Sequence, residues 1–275
     1  MMVRQAPLRH FTISPPHHFA TSLFRHFTTS PLMLHNTLGI VLKTVKYGET
    51  SLIAKVYTQQ FGLQSYMINS VRTTQSKHKA ALLQPLSLLE MVVYHKKNKN
   101  IQHLKEIKPA YLFTQLPFDV LRSSLALFVS EILHKTLKEE EPNEQQFNFI
   151  YQFIVFLDQT PMLLANLHLV FLTELSTYIG FHPQNNFFYT ERPIFDLIEG
   201  VFTHRPPEHL HYIELPLSEK LSKLLQTSVV ESHHLQLSHD TRRQLLHALL
   251  HYYTLHIENF GETKSVPILE EIFNH

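Results

Sequence analysis

The sequence predicts an α+β chain, with a small all-β barrel at the N-terminal side followed by an all-α helical domain. Three observations carry this. After Met33, apolar residues alternate with period two through short runs over roughly 75 residues. From Pro117 onward they recur with helical spacing. The whole chain, 275 residues at 44% hydrophobic and 17% charged, is long enough to bury a sizeable core. The expected organisation is a leader at 1–32, a barrel at 33–110 and a helical domain at 111–275 with a loop-rich insertion at 182–215.

The leader is unlike the rest. "LRHFTISP" at 8–15 returns as "FRHFTTSP" at 24–31, with no acidic residue and little periodicity. It lacks the continuous apolar stretch and small-residue cleavage site of a secretory signal. It reads as a disordered leader or as upstream sequence, with Met33 as the natural start.

The barrel strands follow in order. "LGIVLKTVKYGETSLIAKVYTQQFGLQSYMINSV" has β-branched and aromatic runs separated by Tyr47-Gly48 and Phe61-Gly62, both turn signals. Within "SLIAKVYT", Leu52, Ala54 and Val56 face one way and Ile53, Lys55 and Tyr57 the other. "LSLLEMVVYHK" gives a fourth strand and "IQHLKEIKPAYLF" a fifth. Five short strands in so small a module suit an OB-fold. A short helix is expected at 77–83, between strands three and four.

"PFDVLRSSLALFVSEILHKTLKEEEP" places Val120, Leu121, Leu125, Phe128, Ile132 and Leu133 on one helical stripe, with Pro117 near its start and Pro142 beyond its end. Helices are expected at 143–158 and 161–179, the latter stopped by Gly180 and Pro183. The apolar run through this pair is interrupted by Asp158, Pro161, His168 and Glu174, so no membrane span is expected. "LSEKLSKLL" gives a short helix, and "SHDTRRQLLHALLHYYTLHIENF" a long one with Ser238 or Asp240 as N-cap. "PILEEIF" closes the chain.

The net charge of +1 hides an asymmetry. Residues 33–108 hold eleven Lys or Arg against three Glu, whereas 109–275 hold ten against twenty acids. A basic module joined to an acidic one suits a polyanion partner for the first and protein contacts for the second. Arg72, Lys77 and Lys79 follow strand three, and Lys96, Lys97 and Lys99 follow strand four. If these two turns rim one groove, their charges converge on a phosphate chain, with Lys43 and Lys46 extending the patch. Tyr47, Tyr57, Tyr66 and Tyr94 are interleaved with the lysines; each either stacks an unpaired base or fills the barrel. Nucleic-acid binding by the module is the expectation. The alternative is an adaptor whose basic barrel docks an acidic protein tail with weak DNA affinity of its own.

Other chemistry finds little footing. With no cysteine, there are no disulfides, thiolate nucleophiles or cysteine-ligated zinc, which fits a reducing cytoplasm. Of the 21 histidines, His204, His209 and His211, and His233, His234 and His239, are the tightest groups, and neither has zinc-site spacing. His247 and His251 stand one helical turn apart, with no acid following His247 and with apolar neighbours. Neither a phosphate-cradling glycine loop nor a GxSxG elbow is present. Neither a catalytic residue, a metal nor a cofactor is expected.

Several of these stretches together resemble the bacterial RecO family of recombination mediators. They are "GIVLKTVKYGETSLIAKVYTQQFG", the basic "VRTTQSKHKAALLQPLSLLEMVVYHKKN", "YIGFHP", and the closing "RRQLLHALLHYYTLHIENFGETKSVPILEEIF". The likeness covers 34–273. It implies an OB-fold followed by a helical domain, and a protein of the cytoplasm and nucleoid. It further implies binding to single- and double-stranded DNA, annealing of complementary strands, and contact with the acidic tail of the single-stranded-DNA-binding protein. With RecR, such proteins help load RecA onto coated strands. The DNA role is carried here only to the basic residues named above. One departure is plain: many family members place a four-cysteine zinc module after the "GF-x-P" segment, where this chain has none. Packing of Phe187, Phe188, Phe195 and Phe202 is expected to hold that loop instead.

Overall fold

The first strand, β1 (Leu34–Tyr47), is long because it serves two neighbours. Its first half pairs with β4 (Leu88–Tyr94), from Leu34↔Tyr94 to Ile40↔Leu88. Its second half pairs with β2 (Ser51–Thr58), from Gly39↔Thr58 to Tyr47↔Ser51. A register shift between Val41 and Lys43 lets one strand turn from the first partner to the second, as a bulge does. Gly39 lies at the changeover, where a Cβ would come within 2.7 Å of Val56 Cγ1 and closer still to Met91 Sδ. β3 (Gly62–Ile68) pairs antiparallel with β2, and β5 (Gln102–Pro109) pairs antiparallel with β4 and parallel with β3. The result is a closed barrel of order β1-β2-β3-β5-β4. These positions come from a computed structural model that describes residues 34–49, 51–68, 82–96, 99–138, 141–189 and 193–273. The leader and most of the expected helix at 77–83 lie outside the described residues.

Alternation sorts the barrel side chains. Val41, Ala54, Val56, Tyr66, Ile68, Leu83, Leu89, Met91 and Val93 fill the interior. Ile40, Leu42, Tyr57, Leu86 and Leu88 belong instead to a second core shared with the helices. That core is built by α1 (Val120–Thr136), α2 (Glu144–Gln159), α3 (Leu167–Tyr178), α4 (Leu217–Leu224), α5 (His239–His256) and α6 (Val266–Phe273). Two polar contacts cross the seam: Ser130 Oγ donates to Leu42 O at 3.1 Å, and Tyr57 OH donates to Gln146 Oε1 at 2.5 Å.

Side-chain caps explain where the helices begin. Asp119, Asn143 and Ser238 each accept from a backbone N–H three residues on, so α1 starts just after Asp119, two residues beyond Pro117. α3 starts at Leu167, later than its apolar pattern predicts; Asn166 before it gives no side-chain cap and instead donates to Ser232 O and Leu235 O. Asp158, which breaks the apolar run in the sequence, is fully buried and holds the connection out of the barrel. Its carboxylate accepts from the N–H groups of Thr114, Gln115 and Leu116 and from Tyr111 OH, at 2.7 to 3.1 Å. Burial alone would raise its pKa, but the N–H groups of Leu116, Thr114 and Gln115 outweigh it and hold the value at about 2. At the chain's end, the N–H groups of Lys264 and Ser265 donate to Glu131 of α1.

The insertion at 182–215 is more ordered than its composition predicts. It contains a three-stranded antiparallel sheet of β6 (Ile194–Asp196), β7 (Val201–Thr203) and β8 (Tyr212–Ile213), in the order β7-β6-β8. Phe195 packs on Phe202 at 4.9 Å, and Phe187 meets Phe202 edge-on at 5.4 Å. Asn186 locks the same strand by bonding both the N–H and the C=O of Phe202. Phe188 departs from the sequence reading: it is 77% exposed and contributes only an edge contact to Phe187.

Candidate nucleic-acid interface

Strand direction fixes where the basic residues lie. β3 ends at Ile68, opposite Leu52, and Leu83 beyond the following loop accepts a hydrogen bond from Thr44 Oγ1. Both anchors of that loop therefore adjoin the β1–β2 hairpin. The turn between β4 and β5 leaves from Tyr94, opposite Leu34, at the other end of β1. The described anchors of the two loops thus lie toward opposite ends of the barrel strands. Arg72, Lys77, Lys79 and Lys97 themselves lie outside the described residues. Of the other candidates, Lys43 and Lys46 are exposed on the second half of β1, and Lys96 and Lys99 are exposed at the far turn.

Between the two ends runs the outer face of β2 and β3. Ala54 and Val56 point inward, so Ile53 and Lys55 point out, paired across the strands with Met67 and Ser65. Lys55 is exposed and stands directly opposite Lys43. The field of this pair is felt on α1: burial first, then the charges of Lys43 and Lys55, push the His134 pKa down. Lys55 was legible in the strand alternation but is isolated in sequence, and charge clustering passes over it. Two other barrel lysines are matched by carboxylates, Lys108 with Glu90 at 2.6 Å and Lys105 with Glu106 at 3.8 Å. Lys43, Lys46 and Lys55 thus form a cluster on the β1–β2 side, with Glu49 the one acid in the turn beside them.

The far turn is fixed from within. Gln102, 2% exposed, uses its side-chain amide to accept from Lys96 N and to donate to Lys96 O and Lys99 O, at 2.8 to 2.9 Å. This spans the turn from below and leaves the ammonium groups outside. Of the four tyrosines, Tyr57 and Tyr66 are core, at 2% and 0% exposure, so base stacking is closed to them. Tyr47 is 52% exposed beside Lys46, and Tyr94 is partly exposed. Exposed ammonium groups of this kind suit phosphates, which carry charge but no base identity.

The insertion gives no purchase to a cysteine-ligated zinc, because the chain has no cysteine; Phe187, Phe195 and Phe202 pack together there, with Tyr252 against Phe195. The family's zinc does not fit these residues. Among the described residues, no group of three or more His, Cys, Asp or Glu is placed to hold a metal ion. His247 bonds Glu270 at 2.9 Å and His251 bonds His211 at 2.8 Å. Among the described residues, no helix is long and apolar enough to cross a membrane.

Comparison with known proteins supplies the family context. The family model described as "Recombination protein O N terminal" matches residues 33–113, and "Recombination protein O C terminal" matches 117–265. A protein named DNA repair protein RecO from Azobacteroides pseudotrichonymphae is 33% identical over 242 residues, covering 88% of this chain and 100% of the relative. Those from Bacteroides fragilis and Flavobacterium psychrophilum are 34% and 36% identical, covering 88% and 86% of this chain and 100% and 98% of theirs.

Proposed function

The chain belongs to the RecO family of DNA repair and recombination proteins, and from that premise we propose that it is a non-catalytic mediator whose barrel holds DNA while its helical part meets protein partners. The observation that carries this is the set of exposed lysines on the barrel, Lys43, Lys46 and Lys55 on β1 and β2 and Lys96 and Lys99 at the turn after β4. An OB barrel presents its second and third strands to a nucleic-acid strand and uses its loops as flanks. The described residues offer it ammonium groups, so binding on this reading is set by phosphate charge and is sequence-tolerant.

On this reading the barrel, 33–110, binds single- and double-stranded DNA. Arg72, Lys77, Lys79, Lys96, Lys97, Lys99, Lys43 and Lys46 contribute, and Lys55 joins them. Neutralised strands repel less and pair faster, which supports annealing. On the same reading the protein meets RecR and the acidic tail of the single-stranded-DNA-binding protein, and through them supports RecA loading at the nucleoid; no motif assigns either partner to particular residues. The test is direct. Purified protein should retain a single-stranded oligonucleotide at low salt, release it as salt rises, and speed annealing of complementary oligonucleotides above the spontaneous rate. Failure to retain the oligonucleotide at low salt would leave the adaptor reading in its place.

A further inference from the structure

At the Lys96–Lys99 end of the barrel, three rings from three separate segments meet. Phe61, on the β2–β3 turn, lies parallel to His95, the residue before Lys96, with centroids 4.0 Å apart and planes 13° apart. His35, at the start of β1, stands edge-on to both, at 5.1 Å from Phe61 and 6.3 Å from His95. All three are partly exposed. None of them was a candidate from sequence, where the tyrosines drew attention.

The turn that carries Phe61 is rigidly built. Thr58 Oγ1 accepts from Phe61 N at 3.1 Å and donates to Gly62 O at 2.9 Å. Gln64 Nε2 donates to Phe61 O at 2.8 Å, and Gln60 N reaches Thr37 Oγ1 of β1 at 3.3 Å. Gly62 takes a φ of 60°, which closes the turn directly after the phenyl ring. A large apolar side chain is thereby fixed at the barrel rim, packed against the interior core yet still partly exposed. The surroundings favour an anion: residues 34–38, 58–64 and 94–103 contain no Asp or Glu.

We infer that the His35–Phe61–His95 cluster is a stacking platform for an unpaired nucleobase, placed beside the Lys96–Lys99 turn that holds the adjoining phosphates. This rests on the DNA-binding reading and deepens it, because it gives the same site a preference for single strands. Duplex bases are already stacked on each other and present no free face to the platform. A base added to the Phe61–His95 pair extends an existing parallel stack, and stacking tolerates any base.

The chain contains no tryptophan, so Phe61→Trp gives a single reporter in the platform itself. On adding a twenty-nucleotide oligo-dT, the emission of Phe61→Trp is expected to be quenched, and much less so on adding a duplex of equal length. Phe61→Leu, which keeps an apolar plug but removes the π-face, is expected to lose affinity for oligo-dT by about fivefold or more. Its duplex affinity and melting temperature should stay near those of the parent. The inference is overturned if labelled oligo-dT binds Phe61→Trp without changing its emission. It is overturned equally if Phe61→Leu melts lower yet binds oligo-dT like the parent, since the rings would then only seal the barrel. Either result leaves DNA binding by the lysines intact, whereas a parent protein that binds no oligonucleotide at low salt removes the underlying reading itself.

Discussion

Gln102 shows how a buried neutral side chain can set the position of surface charge. Its amide makes three bonds to the backbone of the Lys96–Lys99 turn, and removing it leaves those groups to find water inside a closed turn. Gln102→Ala is expected to lower stability by roughly 1–3 kcal/mol and to weaken DNA binding without changing the protein's charge, as read by urea denaturation and fluorescence anisotropy. Asp158 does comparable work for the barrel–helix connection. Its pKa is held at about 2, below the ordinary 3.8, so its stabilisation is fully present above pH 4 and is lost as pH falls toward 2. Asp158→Asn should therefore unfold at lower urea than the parent at pH 7, with the gap narrowing between pH 4 and pH 2. His168 acts in the same direction through a different cause. Burial, and then the charge of Arg242, push its pKa to about 3, so the folded protein keeps it neutral where the unfolded chain begins to protonate below about 6.5. Stability present above pH 6.5 is lost as pH falls toward 3, by up to about 1.4 kcal/mol per pH unit. His168→Phe should lose less stability between pH 7 and pH 5 than the parent.

At the scale of elements, the five strands and the helices were legible because each obeys a single period. Ala54 and Val56 against Ile53 and Lys55 announce β2, and Phe128, Ile132 and Leu133 announce α1. The small sheet at 194–213 escaped because its strands are two or three residues long and stabilised by Phe195, Phe202 and Asn186 across sequence gaps, which no window of periodicity registers. The candidate site was legible only in part. Clusters such as Lys96 and Lys99 stand out in the sequence, but Lys55 is one lysine in an apolar strand and becomes significant only through its register with Lys43. Phe61 and His35 lie apart in sequence and meet only once the barrel closes. The Lys43–Lys55 pairing has its own test. Since the two charges depress His134, the double substitution Lys43→Ala and Lys55→Ala should raise the His134 pKa in an NMR titration. An unchanged value would mean that the lysines do not share a field with α1.

For the whole molecule, the division of charge matters more than the total. A net charge of +1 would give a weak, direction-free attraction to DNA if spread evenly. With a net +8 across residues 33–108 and −10 across 109–275, the proposed mode of binding has the barrel meet the polyanion and the helices face away. The most direct measurement is the salt dependence of single-stranded DNA binding for the parent and for the Lys43→Glu, Lys55→Glu, Lys96→Glu, Lys99→Glu variant, with folding checked by circular dichroism. Each phosphate contact contributes a slope of about −0.7 in log K against log salt. The parent should show a slope several times that value, and the folded variant should bind weakly with a much flatter one. A variant that binds with the parent's affinity and slope would show that the strand does not cross this side of the barrel.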